Sequence, residues 1–331
     1  MFVFCYATKI LEEDGFLLKG GDMGVGVELM IVAGGFIALS NYCMRKSIDA
    51  GGSTKAYLMI QLFITFLVSI LLNPVRAGDF TWSPSMASFG FSGGLILALM
   101  MLCLGRALET GPSSLTFAML NSSTVMPILL MVLLFGKGFG FMYNSFNAIG
   151  SLLVVLGLFW AGWETVRMAS ARKWLAFASA AFVLHVVFLV FMQWRALFIH
   201  FPGEKGLLLS FDSLAAKSHW FMPMVFLAAF LVQFIVYLFS SGKKPTKAEM
   251  QYGIIGGVAN GVGTFCMICS TEKSSSFELA MIFPVFAITT LFICNMWGQW
   301  LYKEKVNWKA NAFCMAGVFI GTVDWGSLIK G

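Results

Sequence analysis

His185 is the side chain that offers chemistry most plainly, because it lies in the middle of the apolar run Phe182–Val187. An imidazole at that depth can hydrogen-bond a polar solute. It can also carry a coupling proton, since its unperturbed pKa of about 6.5 permits titration near neutral pH. A neutral ring bonded to a neighbouring helix is the structural alternative. His185 is therefore a candidate for both substrate binding and proton coupling.

Other polar side chains also interrupt apolar runs. The run from Asn121 to Thr124 places four hydrogen-bonding groups in one helical turn, and at least part of it must face inward because lipid offers no partner. Asn260 lies among glycines, where it could contact a ligand or join two helices. The predicted substrate-binding residues are His185, Asn260, Asn121, Ser122, Ser123, Thr124, Gln61 and Trp194.

Two of these predictions have further alternatives. For Gln61 an interhelical hydrogen bond is favoured over substrate contact, and Trp194 could stack on a flat substrate or simply lie near the end of its helix. Asn295 and Gln299 lie toward the end of another apolar run and could line a vestibule. Polar groups in a bilayer usually face a bundle interior or a cavity, which fits either alternative.

Carboxylates are scarce within the apolar runs. Glu278 begins one of them and is the second candidate for proton coupling, although an acidic residue there is also favoured by the positive end of the helix dipole. Glu28 occupies a similar position. The sequence contains no pair of acidic residues in the middle of an apolar run, so facilitated diffusion and exchange remain as open as proton coupling.

The sequence carries no enzyme motif in the structural context that the motif needs. HExxH and a Walker-type phosphate loop do not occur, and the GxSxG spacing of Gly90–Gly94 lies within an apolar run rather than at a strand-to-helix turn. Cys266 and Cys269 have CxxC spacing but lack the further Cys or His ligands that a metal site needs. We therefore expect no enzymatic activity, no cofactor and no bound metal.

Composition predicts the class of the protein. Of 331 residues, 59% are hydrophobic and 11% are charged, where a soluble domain carries about 25% charged residues. The net charge of +6 is spread over short connections and forms no basic face, so we expect no nucleic-acid partner. The protein is predicted to be a multi-pass membrane protein whose partners are the lipid bilayer and a small-molecule substrate.

The apolar runs predict the membrane topology, because a spanning helix needs about 20 mostly apolar residues. The predicted fold class is all-α integral membrane, with ten transmembrane helices. The runs are 25–44, 55–73, 85–105, 114–135, 142–162, 174–198, 219–240, 250–270, 277–301 and 307–327. Between the sixth and seventh runs, apolar residues recur at helical spacing from His200 to Ser218, which predicts a short interfacial helix.

The two halves of the chain resemble each other. Phe89–Gly94 is echoed by Tyr252–Gly257, and Ser113–Met119 by Ser275–Met281, at nearly the same shift of half the chain length. Such an echo is the mark of a tandem duplication. Since each copy holds five spans, the second copy would enter the membrane from the opposite face, which predicts two inverted five-helix repeats.

The domain boundaries follow from this repeat. The first five-helix repeat spans 25–162 and the second 174–327, with a charged linker at 163–173. Residues 1–24 are predicted to be an N-terminal extension. We expect most of it, up to Asp22, to be either dispensable or the product of a start site assigned too far upstream. Because the two copies differ at several polar positions, an asymmetric substrate could bind between them.

The chain resembles the drug/metabolite transporter superfamily, in its ten-helix EamA-type branch. The residues that carry the likeness are Ala107–Ser114, their echo Glu272–Ser276, the Pro284-Val285 pair and Lys303–Lys305 before the last span. The likeness covers residues 25 to 327. The first half departs from the family pattern at Gly136-Lys137-Gly138, where an acidic residue would be expected.

The resemblance implies a secondary transporter that moves a small organic metabolite by alternating access, as a facilitator, an exchanger or a proton-coupled carrier. Suitable substrates would be an amino acid or a nucleoside-linked metabolite such as S-adenosylmethionine. The expected location is the cell (inner) membrane, as a monomer or homodimer. The alternatives are a non-transporting structural or sensory protein and an intramembrane enzyme.

Orientation is the point on which the sequence and the resemblance disagree. The family implies that both termini are cytoplasmic. Lys and Arg are, however, more numerous in the connections on the opposite side of the membrane. By the positive-inside rule this distribution favours termini outside the cytoplasm. We expect cytoplasmic termini on the strength of the resemblance.

Overall fold

The described part of the protein is all-helical. The structure, a computed structural model, describes residues 25–136, 144–162, 171–200, 209, 215, 218–240, 244–273, 282–323 and 325. Eleven helices lie in these ranges and no β-strand does. They are α1 (Val25–Asp49), α2 (Thr54–Ile70), α3 (Pro84–Thr110), α4 (Ser113–Ser122), α5 (Pro127–Leu134), α6 (Ser145–Gly162), α7 (Ala171–His200), α8 (Phe221–Ser240), α9 (Lys247–Lys273), α10 (Ile282–Tyr302) and α11 (Trp308–Thr322).

Seven helical stretches within the described ranges are long and apolar enough to cross a membrane. They correspond to α1, α2 with its continuation, α3, α4 with α5, α7, α8 and α9. Many large apolar side chains point outward, among them Leu133 at 71% and Phe239 at 89% exposed. A bilayer solvates such a surface and water does not. The fold is that expected of a multi-pass helical membrane protein; the number of ten crossings remains a prediction.

Local sequence signals explain where several helices begin. Ser53 accepts hydrogen bonds from the backbone N–H groups of Lys55 and Ala56, so it caps the start of α2. Ser83 caps α3 in the same way, with Pro84 in the first turn. A hydroxyl at this position satisfies backbone donors that have no partner within the helix, which lets these helices begin at defined residues near a membrane surface.

The segment from α4 to α5 is broken in the middle. A 3-10 turn, Ser123–Val125, separates the two helices. Pro127 has no N–H to donate to the carbonyl of Ser123, which instead accepts a bond from Met126 N at 3.0 Å. The break places polar side chains and irregular backbone between two apolar helices, where such backbone is tolerated only if protein or a cavity surrounds it.

The helices pack across the two halves of the chain. α9 packs on α1 and α2, and α3 packs on α7 and α8. α10 contacts both α1 and α4, α7 contacts α4 and α5, and α6 pairs with α11. A large core cluster, which includes Tyr57, Phe198 and Phe221, joins residues of both halves. The two halves therefore share one hydrophobic core.

The echoed glycines mark close helix contacts. A Cβ atom added to Gly90 or Gly94 in α3 would overlap the backbone carbonyls of Phe221 and Val225 in α8. One added to Gly257 in α9 would lie 2.6 Å from the carbonyl oxygen of Gln61 in α2. Glycine lets two helix backbones approach to a distance that no side chain permits. The same sequence element thus makes equivalent contacts in both halves.

Some predictions fall outside the described residues. These are the N-terminal extension, the linker up to residue 170, Glu278, and nearly all of the interfacial helix between His200 and Ser218.

Trp174, at the start of its span, could be expected to lie in an interfacial aromatic belt. It is instead buried against Gly111 and donates a hydrogen bond to the Thr116 hydroxyl at 2.9 Å.

Candidate functional site

His185 meets the broken segment between α4 and α5. Its Nδ1 atom lies 2.9 Å from the carbonyl oxygen of Leu120 and 2.6 Å from Oγ of Ser123. The Ser123 hydroxyl also reaches the Leu120 oxygen, at 2.6 Å. Ser123 is fully buried, whereas His185 keeps part of its surface accessible. Two of the predicted site residues, His185 and Ser123, are therefore brought together at the helix break.

The other three residues of the polar turn point elsewhere. Asn121 donates to the carbonyl of Phe117 within its own helix, and the Thr124 hydroxyl donates to the carbonyl of Asn121. Ser122 is fully buried beside Cys314 of α11. Such local side-chain bonds satisfy polar groups without a tertiary partner. The prediction that part of the turn faces inward agrees with these contacts, but Ser123 is the member that reaches His185.

Asn260 and Gln61 form a second polar contact between other helices. Asn260 Nδ2 lies 3.4 Å from the Thr65 hydroxyl, which donates to the carbonyls of Gln61 and Gly257. Gln61 donates to the Ser40 hydroxyl at 2.7 Å, while its Oε1 is buried without a partner. All four side chains are buried. They join α1, α2 and α9, which is the interhelical alternative, and none of them contacts His185.

Trp194 belongs to an aromatic cluster near the end of α7. Its ring lies 5.3 Å from Phe89, 5.8 Å from Phe135 and 5.9 Å from Phe198, measured between ring centroids. Aromatic pairs at such distances, edge-on or tilted, are mutually attractive. Trp194 thus links α3, the residue that follows α5, and α7 through contacts with neighbouring rings.

Asn295 is the polar residue whose environment the sequence misjudged. It does not line a vestibule: the side chain is fully buried, and neither its Oδ1 nor its Nδ2 has a hydrogen-bond partner within the described structure. It shares a face of α10 with Leu291, which packs on Ala118, and with Gly298, which approaches Ser114. The burial of Asn295 could not be predicted from the sequence, because its neighbours in the chain are the same whether the side chain faces a vestibule or the core.

Replacement of Asn295 tests whether this amide is truly unpaired. We expect Asn295→Leu to raise the free energy of unfolding by about 1–3 kcal/mol, because the variant removes a buried amide whose desolvation nothing compensates. The measurement is unfolding in mixed micelles, with Asn260→Leu, which breaks the bond to Thr65, as the matched control expected to destabilise. A loss of stability in Asn295→Leu would show that water or a ligand pairs the amide.

One end of the bundle is rich in charged contacts. Arg45 donates to the carbonyl of Leu108 at the end of α3, at 2.8 Å, and pairs with Asp49. Glu304, in the connection between α10 and α11, accepts bonds from the N–H groups of Ser113 and Ser114 and from the Ser113 hydroxyl, at 2.7–3.0 Å. These are favourable positions for a cation and an anion at helix ends.

The Glu304 carboxylate has an altered acidity. Burial raises its pKa, but the hydrogen bonds from Ser114 and Ser113 outweigh burial, so its pKa lies below the usual value of 4.5. Glu304 is therefore charged at neutral pH and caps the start of α4 from the opposite half of the chain. Lys303–Lys305 is one of the stretches on which the resemblance was based. Its glutamate has a structural role that the motif alone did not reveal.

The chemistry available at the His185 contact is neutral hydrogen bonding. Its described partners are a serine hydroxyl and a backbone carbonyl. Over the described ranges, no group of three or more His, Cys, Asp or Glu side chains is arranged to hold a metal ion.

Comparison with known proteins gives information about the fold alone. No protein-family model and no curated protein matches the chain. One solved crystal structure of a protein is similar over 91% of this chain and 96% of its own length, with a TM-score of 0.56 and 13% identical residues. A likeness at that identity concerns architecture alone. The helical fold has a structural counterpart over nearly its whole length.

Proposed function

We propose that this protein is a secondary transporter of a small organic metabolite, built from two inverted five-helix repeats of the EamA type in the drug/metabolite transporter superfamily. The observation that carries the proposal is the pattern of helix packing. Two copies that enter a membrane from opposite faces form a pseudo-symmetric pair whose interface can be reached alternately from either side.

The main helix contacts between the halves correspond when the two halves are exchanged. The exchange pairs α1 with α7, α2 with α8, α3 with α9, α4 and α5 with α10, and α6 with α11. Contact of α9 with α1 then corresponds to contact of α3 with α7, and contact of α9 with α2 to contact of α3 with α8. The α10–α1 contact corresponds to that of α4 and α5 with α7. This correspondence supports an inverted repeat with a two-fold axis.

The echoed glycines support the same exchange. Gly94 approaches Val225 and Ala228 in α8, and its echo Gly257 approaches Gln61 and Ile64 in α2. Gly93 faces α7, and its echo Gly256 faces α1 and α2. Glycines that correspond in the sequence therefore also correspond in their helix contacts. A chance similarity between two glycine-rich segments would not produce this agreement.

The exchange also identifies where the halves differ. His185 and Ser123 meet where α7 crosses the broken segment. At the equivalent crossing of α1 and α10, Gly34 packs against the carbonyl of Phe286 and against Thr289. There α10 is a continuous helix through the apolar residues that replace the polar turn. One crossing thus carries the His185 ring, and the other carries the Thr290 hydroxyl, which lies 3.4 Å from the Gly34 carbonyl oxygen. A difference of this kind is what a site for an asymmetric substrate would need.

His185 is accordingly the residue we assign to substrate contact and, if transport depends on a proton gradient, to coupling. Ser123 and the Leu120 carbonyl position its ring. Glu278 stays a candidate from the sequence for coupling. Asn260 and Gln61 hold helices together in this proposal. The uptake experiment decides whether the protein acts as a facilitator, an exchanger or a proton-coupled carrier.

Uptake into proteoliposomes tests the function. Purified protein is reconstituted, incubated with a mixed metabolite pool and washed, and the trapped solutes are identified by mass spectrometry, with and without an imposed pH gradient. We expect accumulation of specific small organic solutes above that in protein-free liposomes and in liposomes holding an unrelated helical membrane protein. Equal contents in all three preparations would contradict the proposal.

One observation favours the alternative of a non-transporting structural or sensory membrane protein. Both His185 and Asn260 hydrogen-bond to neighbouring helices, as residues that only hold a bundle together would do. The same uptake experiment separates the two functions, since a structural protein leaves the liposome contents unchanged while its helices remain folded by circular dichroism.

A further inference from the structure

The hydrogen bonds of His185 define which ring nitrogen carries the proton. A backbone carbonyl oxygen can only accept a hydrogen bond. Since Nδ1 lies 2.9 Å from the Leu120 oxygen, a bare Nδ1 would face that oxygen with lone pair against lone pair. The proton of the neutral ring is therefore assigned to Nδ1 from the hydrogen-bond network.

Ser123 is consistent with this assignment. Its hydroxyl has its own acceptor in the Leu120 oxygen, at 2.6 Å. The lone pairs of Ser123 Oγ are then directed to the Nδ1–H group, 2.6 Å away. One carbonyl and one hydroxyl thus hold the ring in a single tautomer. They also fix the orientation of the ring, because the protonated nitrogen must point its N–H group at these two acceptors.

Nε2 is left as a bare acceptor. Within the described ranges no side chain or backbone group hydrogen-bonds to it; the contacts of His185 are those of Nδ1. The side chain keeps part of its surface accessible. The equivalent position in the first half is Gly35, where an added Cβ would meet nothing within 4 Å. The acceptor therefore exists at one of the two equivalent crossings.

We propose that Nε2 of His185 accepts a hydrogen bond from the transported solute, so that the substrate class is a small organic molecule with an N–H or O–H donor, such as an amine, an amide or an alcohol. The proposal rests on the transport function above. An anionic group is disfavoured at this point, since its oxygens would face the Nε2 lone pair. A site built around a bare acceptor rejects analogues that lack the donor, because its polar atom is then left unpaired.

Methylated analogues test the substrate class. For each solute that enters wild-type proteoliposomes, its permethylated derivative, in which every N–H and O–H is replaced by N–CH3 or O–CH3, is offered as a competitor. We expect the derivative to compete at least about tenfold more weakly than the unlabelled solute. Equal competition, or preferential uptake of solutes that carry only anionic acceptor groups, would overturn the inference while leaving transport itself intact.

Two variants of His185 separate the acceptor from the rest of the ring. The amide of His185→Asn can replace Nδ1–H but provides nothing at the position of Nε2. The longer side chain of His185→Gln can place its amide oxygen near that position. We expect uptake to fall at least about tenfold in His185→Asn and to be largely retained in His185→Gln. His219→Asn, which alters an exposed connection, is the matched control with unchanged uptake.

The tautomer is measured without any substrate. Nitrogen-15 NMR of histidine-labelled protein in bilayers distinguishes a protonated from a bare ring nitrogen, and His185→Asn assigns the signal by removing it. We expect a bare Nε2. A ring protonated at Nε2 would overturn the inference even if transport is found. If no solute enters the wild-type liposomes, the transport function fails, and the substrate class fails with it.

Discussion

Gly94→Leu is expected to lower the free energy of unfolding by about 3 kcal/mol, the upper end of the cost of overpacking a core. A Cβ atom at this position would overlap the Val225 carbonyl and lie 2.7 Å from the Cβ atom of Ala228. Neither atom can rotate away, since one is backbone and the other is fixed to it. α3 and α8 would have to separate along their contact.

The echo makes this prediction sharper. Gly257→Leu in α9 should cost a similar amount, because it meets the Gln61 carbonyl and Ile64 of α2 in the equivalent way. Gly35→Ala is the matched control: it adds a Cβ atom in open space within a helix, where alanine is favoured over glycine by about 1 kcal/mol. Unfolding in mixed micelles measures all three. A Gly94→Leu variant as stable as wild type would contradict the close approach of the helices.

Glu304→Ala is expected to destabilise the protein by about 3 kcal/mol, because hydrogen bonds to a charged group contribute about 1.5–3 kcal/mol and their loss leaves donors unpaired. The carboxylate binds the first residues of α4, Ser113 and Ser114, from the other half of the chain. Glu304→Gln should cost less, since its amide oxygen can still accept one bond. Lys305→Ala, at an exposed neighbour, is the control without effect.

Acid should remove the same contribution. The folded protein holds the pKa of Glu304 below its usual value of 4.5. The stabilisation is therefore fully present above that value and is lost as the pH falls below it, toward the folded-state pKa. We expect the stability difference between wild type and Glu304→Gln to shrink when unfolding is measured from about pH 7 down to about pH 3.5. A difference that grows on acidification would contradict this cap.

The helical, multi-pass character of the protein could be predicted from composition and the length of the apolar runs. A chain with so few charges has no means of dissolving its surface in water, and backbone groups in hydrocarbon must bond within their own helix. The predicted runs 55–73 and 85–105 begin one residue after α2 and α3 do. The caps Ser53 and Ser83 explain these starts, since capping depends on residues close together in the chain. These are local properties.

The candidate site could be predicted only in part. The sequence identified His185 and the polar turn separately, from their polarity within apolar runs. It could not show that Ser123, and neither Asn121 nor Thr124, would reach His185, because that depends on the break before Pro127. Nor could it show that Asn260 would bond to Thr65 or that Asn295 would be sealed in the core. Each of these outcomes depends on residues more than 50 positions apart in the chain.

The sequence by itself determined the class of fold, the echo of its two halves and the shortage of charge inside the apolar runs, because composition and period act along the chain. Only the tertiary structure decided which helices meet at the echoed glycines, which carboxylate caps α4 and which nitrogen of His185 is held. Those outcomes depend on helix phase and crossing. A side chain's partner changes with a rotation of its helix that leaves the sequence pattern untouched.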